Sequence, residues 1–243
     1  MKNLIFAILS TTTLLLSCSP DNPNPNGNGG QTYTQGTPVT DIDGNTYPTI
    51  ISDCGQTWTA KNLNVSKYRN GDVIPQVTDP TQWANLTTGA WCYYNNDPTN
   101  EIIYGKLYNW YAVNDPRGLA PTGWHIPSNS EWNKFVKFLD AGADTSFYEQ
   151  STTAGGAMKN PTGWDATNVG ASNSSGFTGI PGGYRIANGP YSGIGLNAYW
   201  WSSTENTNSS TGAWFRMLFN TNSTIRSVSF DKIFAFSVRC IKD

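Results

Sequence analysis

The stretch that decides the fold is residues 118–142, GLAPTGWHIPSNSEWNKFVKFLDAG. It contains Ser128 and Glu131 at the Ser-x-x-Glu spacing of a capping box, in which each side chain bonds the backbone N–H of the other residue. Gly142 can end the helix that follows, since glycine readily takes the left-handed conformation. Apolar residues lie between them at i, i+3, i+4 and i+7, one face of a helix: Trp132, Phe135, Val136 and Leu139. We predict one main amphipathic helix with the rest of the chain folded against it.

The composition of the chain is typical of a compact, loop-rich fold. Its 243 residues include 24 Gly and 14 Pro together with 10 Trp, 12 Tyr and 10 Phe, whereas only 13% are charged. Such a chain can bury an aromatic core, and its length predicts one domain of about 200 residues. The net charge of −2 argues against nucleic acid as a partner, because binding phosphates requires a basic surface.

The N-terminus is typical of an exported lipoprotein. In residues 1–17, Lys2 precedes an apolar run that is too short to cross a bilayer, which predicts a signal peptide. The run ends Leu-Leu-Ser-Cys and resembles the lipobox of bacterial lipoproteins, so we predict that Cys18 is lipidated after cleavage. The lipid makes the membrane a predicted partner. Because Ser19 is not an aspartate, we predict the outer membrane as the location.

The domain is predicted to begin after a linker. Residues 18–37 are rich in Asn, Pro, Gly and Thr and have almost no apolar side chains, which predicts a flexible spacer. Residues 38–243 then form the domain, opening with a hairpin at Asp43-Gly44. Alternation and turn residues predict strands at 56–63, 90–94, 214–219 and 233–240, and short helices at 80–85, 104–113 and within 144–153. One helix with many short strands is an α+β fold.

Cysteine and histidine limit the chemistry available to the domain. Cys54, Cys92 and Cys240 remain after Cys18, and export permits a disulfide. We predict a Cys92–Cys240 bond, because both residues lie on predicted strands, with Cys54–Cys240 as the open alternative. His125 is the single histidine of the chain and is predicted to be structural. We expect no bound metal, no cofactor and no catalytic residue.

A cluster of aromatic and charged residues in the last third of the chain is the candidate ligand-binding site. Trp200 and Trp201 are adjacent on a predicted strand, so their rings should face opposite sides, which allows one of them to be exposed. The alternative is that these rings belong to the core, where aromatic side chains are most common. The predicted site consists of Tyr184, Arg185, Trp200, Trp201, Glu205 and Arg216, with Tyr199 and Trp214 beside it.

Six separated phrases resemble one bacterial family. They are YGKLYNWY (104–111), LAPTGWHIP (119–127), GGAMK (155–159), GF with PGGYR (176–177 and 181–185), WWSSTE (200–205) and FSVRC (236–240). In order and spacing they look like the Fibrobacter succinogenes major paralogous domain, over nearly all of residues 39–243. The resemblance implies a bacterial cell-surface domain whose fold is similar to C-type lectin-like domains and formylglycine-generating enzymes.

The residues argue against the activities of those related groups. Formylglycine-generating enzymes use a cysteine pair near the C-terminus, where this chain has only Cys240. Calcium-dependent lectins use Glu-Pro-Asn and Trp-Asn-Asp motifs, which do not occur here. We therefore predict a non-catalytic, adhesive or ligand-binding surface lipoprotein, with polysaccharide as the leading ligand and a surface protein as another possible partner. The alternatives are a formylglycine-type oxidase or other enzyme, and a structural module of a surface assembly.

Overall fold

Five short helices and fourteen short strands make up residues 33–243, the part of the chain that the computed structural model describes. The helices are α1 (Pro80–Ala84), α2 (Asn100–Tyr104), α3 (Trp110–Val113), α4 (Asn129–Leu139) and α5 (Ala154–Met158). The strands are β1 (Tyr33–Thr40), β2 (Thr46–Ser52), β3 (Thr57–Thr59), β4 (Trp91–Cys92), β5 (Leu107–Asn109), β6 (Trp124–His125), β7 (Glu149–Ser151), β8 (Gly182–Arg185), β9 (Tyr191–Ile194), β10 (Asn197–Glu205), β11 (Gly212–Phe219), β12 (Ile225–Asp231), β13 (Ala235–Phe236) and β14 (Ile241–Lys242).

The strands form three antiparallel sheets, in the orders β1-β2-β3-β14-β6, β10-β11-β12-β7 and β4-β5-β13-β8-β9. The first sheet joins both ends of the domain, because Ile241 of β14 pairs with Trp58 of β3 on one side and with His125 of β6 on the other. These sheets, together with the few helices, confirm a mostly β, α+β single domain.

The predicted main helix is confirmed as α4, and its cap has the predicted geometry. Ser128 Oγ accepts from the backbone N–H of Glu131 at 3.3 Å, and Glu131 Oε2 accepts from the N–H of Ser128 at 2.8 Å. Trp132, Phe135 and Val136 are buried, while Leu139, the fourth residue of the predicted face, is half-buried.

The core against which α4 packs is a cluster of aromatic rings. The ring of Trp58 lies 4.7 Å from that of Trp132 and 5.1 Å from that of Phe135, between ring centroids. Phe177 extends the cluster and meets Trp200 edge-on at 5.1 Å. Tilted and edge-on ring pairs of this kind stabilise a core beyond the area they bury. The helix is therefore the contact that joins β3, β10 and the loops.

Two predicted helices are wrong in type. Residues 104–113 form strand β5 followed by α3, because Asn109 Oδ1 accepts from the N–H groups of Ala90 and Ala112 and so ends one element and caps the next. In residues 144–153, strand β7 pairs with β12, and α5 begins only at Ala154. Local spacing favours a helix in both places, but pairing with distant strands overrides it.

The strand predicted at 233–240 is much shorter in the structure: only β13 lies within it, and β14 begins after it at Ile241. Ala235 and Phe236 pair with β5, whereas β14 belongs to the first sheet. Between β13 and β14 the backbone carbonyls bond the segment 59–63: Val238 O accepts from Leu63 N, and Cys240 O accepts from Thr59 N. The chain's last residues thus connect two sheets rather than extend one.

Ordered structure begins earlier than predicted. Residues 33–37, assigned to the linker from sequence, are part of β1, and the ring of Tyr33 lies where a side chain at Gly176 would project. The predicted signal peptide, Cys18 and the linker up to residue 32 lie outside the described residues. No helix within residues 33–243 is long and apolar enough to cross a membrane.

Candidate functional site

The two tryptophans at the centre of the predicted ligand site are both core residues. Trp200 and Trp201 are fully buried, so neither is the exposed ring that the alternation allowed, and both belong to the core, which was the alternative. Strand β10 lies between two hydrophobic clusters, so each of its faces is covered. Trp200 Nε1 donates to Asn62 Oδ1, and Trp201 Nε1 donates to the carbonyl of Tyr108. Neither ring is available for stacking on a ligand.

The other predicted site residues do not form one surface. Arg185 and Arg216 are also buried, and Tyr184 is half-buried against Tyr199 and Phe236. Glu205 is exposed and pairs with Lys232. The predicted ligand platform is therefore a set of core contacts with one surface ion pair beside it.

Three buried cations have structural roles that their sequence phrases did not reveal. Arg185 donates to the carbonyls of Gly189, Val77 and Thr78. Lys159 and Arg239 are likewise surrounded by uncharged acceptors: Val169 O, Phe219 O and Asn222 O for the first, and Asn62 Oδ1, Thr59 O, Phe177 O and Thr178 O for the second. Loop carbonyls that no sheet pairs need such donors when they are buried. These cations hold the long loops in place.

The predicted disulfide is wrong. Cys54, Cys92 and Cys240 are all free, buried thiols. Cys92 belongs to one hydrophobic cluster and Cys240 to another, so the fold does not bring them together. Burial raises the pKa of Cys92 to about 11 and raises that of Cys240 well above its usual value. Both thiols therefore stay protonated at neutral pH, which disfavours nucleophilic or redox chemistry.

His125 bridges the main helix to the C-terminal residue. Its Nε2 lies 2.9 Å from Glu131 Oε1 and its Nδ1 lies 2.6 Å from Asp243 Oδ1. Partial burial lowers the pKa of His125, but the bonds to Asp243 and Glu131 outweigh burial and raise the pKa above its usual value. Because both ring nitrogens are bonded to carboxylates, neither is free to act on a substrate in the cavity of about 210 Å³ beside it. The bridge supports the structural assignment.

The His125 bridge predicts a pH-dependent stability. A histidine whose pKa is raised on folding stabilises the fold fully below its unfolded pKa, about 6.5, and loses this contribution as pH rises through the folded pKa. The excess stability of the wild type over a His125→Gln variant should therefore shrink between about pH 6 and pH 8.5. The effect should stay below about 1 kcal/mol, because the imidazole is 40% exposed and screened by solvent. Urea unfolding at both pH values measures it, and a constant difference would contradict it.

An open cleft of about 440 Å³ lies beside the N-terminus of α4, hereafter the aromatic cleft. It is lined by Asn129, Thr145, Ser146, Phe147, Tyr148, Trp214 and Ser227. Phe147 and Tyr148 are 55% and 51% exposed, and their rings lie 4.8 Å apart. Most aromatic side chains of the described residues are covered by the core, whereas this exposed pair presents apolar surface that a ligand can contact.

The cleft is positioned by a loop held against the second sheet. Asp144 accepts from the backbone N–H and the hydroxyl of Ser146, which turns the chain before the aromatic pair. The carbonyl of Tyr148 accepts from Ser227 N at 2.7 Å, which fixes the loop on β12. Trp214 lies two residues before Arg216 on the same face of β11. Loop, sheet and helix start therefore meet around one opening.

Polar groups complete the cleft. Asn129 is the first residue of α4, and its Oδ1 is buried without a hydrogen-bond partner within the described residues. Ser227, Ser146 and Thr145 add hydroxyls to the lining. Aromatic faces with a few fixed polar groups are the usual means of binding a small organic ligand. The lining residues include no histidine, cysteine or carboxylate, so this set of side chains is suited to binding rather than to acid–base chemistry.

The sequence signal for this cleft was the pair Phe147-Tyr148 directly after the polar residues Thr145 and Ser146. The prediction for residues 144–153 is a short helix in a polar segment, with no role assigned to the pair. Trp214 was recognised as part of an aromatic cluster, but the helix start at Asn129 was not connected with it.

The fold thus defines a class of protein: an α+β domain of short strands, with loops held by buried cations and with an aromatic cleft. Residues 52–242 match the family described as Fibrobacter succinogenes major domain, and the chain belongs to that family. This confirms the resemblance seen in the six phrases. No curated protein and no solved structure matches the chain.

Proposed function

We propose that this protein is a non-catalytic, ligand-binding lipoprotein of the outer membrane surface, and that it binds polysaccharide in the aromatic cleft. The observation that carries the proposal is the exposed pair Phe147 and Tyr148 beside Trp214, with the unpaired Asn129 Oδ1 at the same opening. The architecture we propose is similar to that of C-type lectin-like domains, in which long loops around a small scaffold present the binding site.

Sugar rings match such a cleft chemically. Their C–H faces are apolar and pack on aromatic rings, while their hydroxyls exchange hydrogen bonds with amide and hydroxyl groups at the rim. A volume of about 440 Å³ accommodates a short oligosaccharide segment and leaves the ends of a polymer free to continue. The amide of Asn129 and the hydroxyl of Ser227 lie where ring hydroxyls would need partners.

The leader supports a place at the cell surface. The signal peptide of residues 1–17 and the lipobox cysteine Cys18 favour a lipid anchor, and the linker before β1 favours a domain held away from the membrane. An oxidase of the formylglycine-generating type is disfavoured by the buried thiols of Cys92 and Cys240. A structural module of a surface assembly is the alternative that a binding experiment decides.

Truncating the cleft aromatics tests this function. Tyr148→Ala and Trp214→Ala should each weaken polysaccharide binding about tenfold or more, which corresponds to ~1.4 kcal/mol of lost stacking. The measurement is a glycan array followed by titration calorimetry on the best ligand. Phe230→Ala is the matched control, because Phe230 is an exposed aromatic residue outside the cleft lining.

The outcome separates the candidates. Equal weakening by Phe230→Ala would place binding elsewhere, whereas no binding to any glycan, with a protein partner recovered by crosslinking, would favour the structural module.

A further inference from the structure

We infer that the ligand of the aromatic cleft is an acidic glycan, a polymer whose sugars carry carboxylates. The inference rests on the proposed function and adds the charge of the ligand. It is carried by Arg216, a fully buried guanidinium beneath the cleft that no carboxylate of residues 33–243 pairs. A polyuronate supplies the missing negative charge together with hydroxyls.

The hydrogen bonds of Arg216 leave part of its donor set unused. Its Nη2 donates to Asn133 Oδ1 at 2.6 Å and to the carbonyl of Asn129 at 3.3 Å. Its Nη1 reaches only the carbonyl of Phe215, at the long distance of 3.5 Å, and its Nε has no partner. A buried guanidinium normally has every N–H directed at an acceptor, because each unmet donor costs free energy.

The other buried arginines of the fold show the contrast. Arg239 and Arg185 direct both Nη atoms and Nε at acceptors within 3.1 Å, and neither has an unpaired nitrogen. Those two side chains are complete as structural elements of the described fold. Arg216, in contrast, has N–H donors without acceptors, from which we infer that its charge acts on a group outside the core.

Arg216 is coupled to the cleft through two of its lining residues. Asn129 lines the cleft and accepts from Arg216 through its carbonyl. Ser227 lines the cleft and lies directly opposite Arg216 in the pairing of β11 with β12. The guanidinium is covered by these residues, so it acts on a ligand through its electric field, which a dry surrounding screens only weakly.

The remaining charges around the cleft are balanced. Glu149 pairs with Arg226 at 3.0 Å, and Arg226 lies over the ring of Tyr148. The charge of Lys137 contributes to the lowered pKa of Asp144, after the larger effect of the hydrogen bonds from Ser146. Arg216 is the buried cation beside the cleft that no carboxylate of residues 33–243 pairs, and its guanidinium lies 6.0 Å from the centroid of the Trp132 ring. Burial lowers its pKa to about 9, which still leaves it protonated at neutral pH.

The hydrogen-bond network that contains Arg216 includes residues with two unpaired acceptors, and one of these residues, Asn129, lines the cleft. Asn129 Oδ1 and Gln150 Oε1 are buried without partners among the described residues. Both belong to the group around Asn133, whose Oδ1 accepts from Gln150 Nε2 at 2.7 Å as well as from Arg216. Acceptors of this kind bind hydroxyl donors, which a carboxylate alone does not provide. A sugar acid carries both groups.

The test compares polygalacturonate with the same polymer after full methyl esterification, using the purified protein. The charged polymer should bind at least about tenfold more tightly at ~20 mM NaCl, and much of this preference should persist at ~500 mM, because salt screens a buried charge much less than an exposed one. Arg216→Met should bring the two polymers to equal affinity. Arg216→Lys keeps the charge and should retain the preference, which a merely structural arginine would not.

The results distinguish this inference from the proposed function. If the ester or uncharged glycans bind as tightly as polygalacturonate and still depend on Tyr148, the acidic ligand is wrong and the glycan site stands. If no glycan of either kind binds, both fail. Should Arg216→Met not fold, the comparison of the two polymers on the wild type decides alone.

Discussion

Replacing Arg239 with methionine is expected to lower the free energy of unfolding by about 3–5 kcal/mol, which is large for one substitution. The guanidinium bonds Asn62 Oδ1 and the carbonyls of Thr59, Phe177 and Thr178, all in loops or at strand ends. Methionine fills a similar volume but leaves these buried acceptors without donors. Urea denaturation followed by tryptophan fluorescence measures the loss.

The matched control for this prediction is Arg216→Met. That substitution removes fewer well-formed hydrogen bonds, because Arg216 Nε has no partner and Nη1 reaches its acceptor only at 3.5 Å, and it also removes an unpaired buried charge, which is itself costly. We expect its free energy of unfolding to stay within about 1 kcal/mol of the wild type. Equal losses at the two positions would mean that donor satisfaction does not distinguish the two arginines.

The second large effect is expected at the main helix. Trp132→Ala should cost about 3–5 kcal/mol, because it removes a fully buried ring and opens a cavity that the neighbouring aromatic rings cannot fill. The ring of Trp132 meets both Trp58 and Phe177, so its loss removes two ring contacts at once from the centre of the aromatic cluster. The midpoint and slope of urea unfolding measure the change.

Lys134→Ala is the control on the same helix. Lys134 is exposed, and alanine favours a helix, so the free energy of unfolding should change by less than about 0.5 kcal/mol. A loss at Lys134 comparable with that at Trp132 would contradict a fold organised on the buried face of α4.

The phrases that identify the family encode the scaffold more than the site. Three of those phrases contain a buried cation that bonds backbone carbonyls inside the fold: Lys159, Arg185 and Arg239. Trp200 and Trp201, in a fourth phrase, are core rings. The aromatic cleft lies instead at Phe147, Tyr148 and Trp214, outside all six phrases. Family membership thus reports the shape of the domain, while ligand choice depends on other residues.

Patterns that depend on neighbouring residues were predicted well. The capping box and apolar spacing of α4 are confirmed, as are the hairpin at Asp43-Gly44 and the short helix α1. Each depends on contacts within one turn or one hairpin. The strand at 214–219 is confirmed within β11, because its alternation spans enough residues to be distinct.

Patterns that depend on distant partners were predicted poorly. The spacing of residues 104–113 predicts a helix. In the structure, however, Asn109 Oδ1 accepts from the N–H of Ala90, and β5 pairs with β13. The alternation of Trp200 and Trp201 correctly placed them on opposite faces of a strand. This alternation does not show that both faces of β10 are covered. The disulfide was predicted wrongly for the same reason, because the sequence pattern does not show which distant segments pack together.

The sequence by itself determined the family, the α+β class and the start and buried face of the main helix, because capping and periodicity act over a few residues. It did not determine the end of the helix: α4 ends at Leu139 with Asp140 extended, and Gly142, the predicted stop, does not take the left-handed conformation. Only the tertiary structure decided which aromatic rings face water, which cations lack a counter-charge and where a ligand fits. Those properties follow from burial, and burial depends on which distant segments pack together. The roles that we propose for Phe147 and Arg216 therefore depend on the tertiary contacts between the loop, the sheet and helix α4.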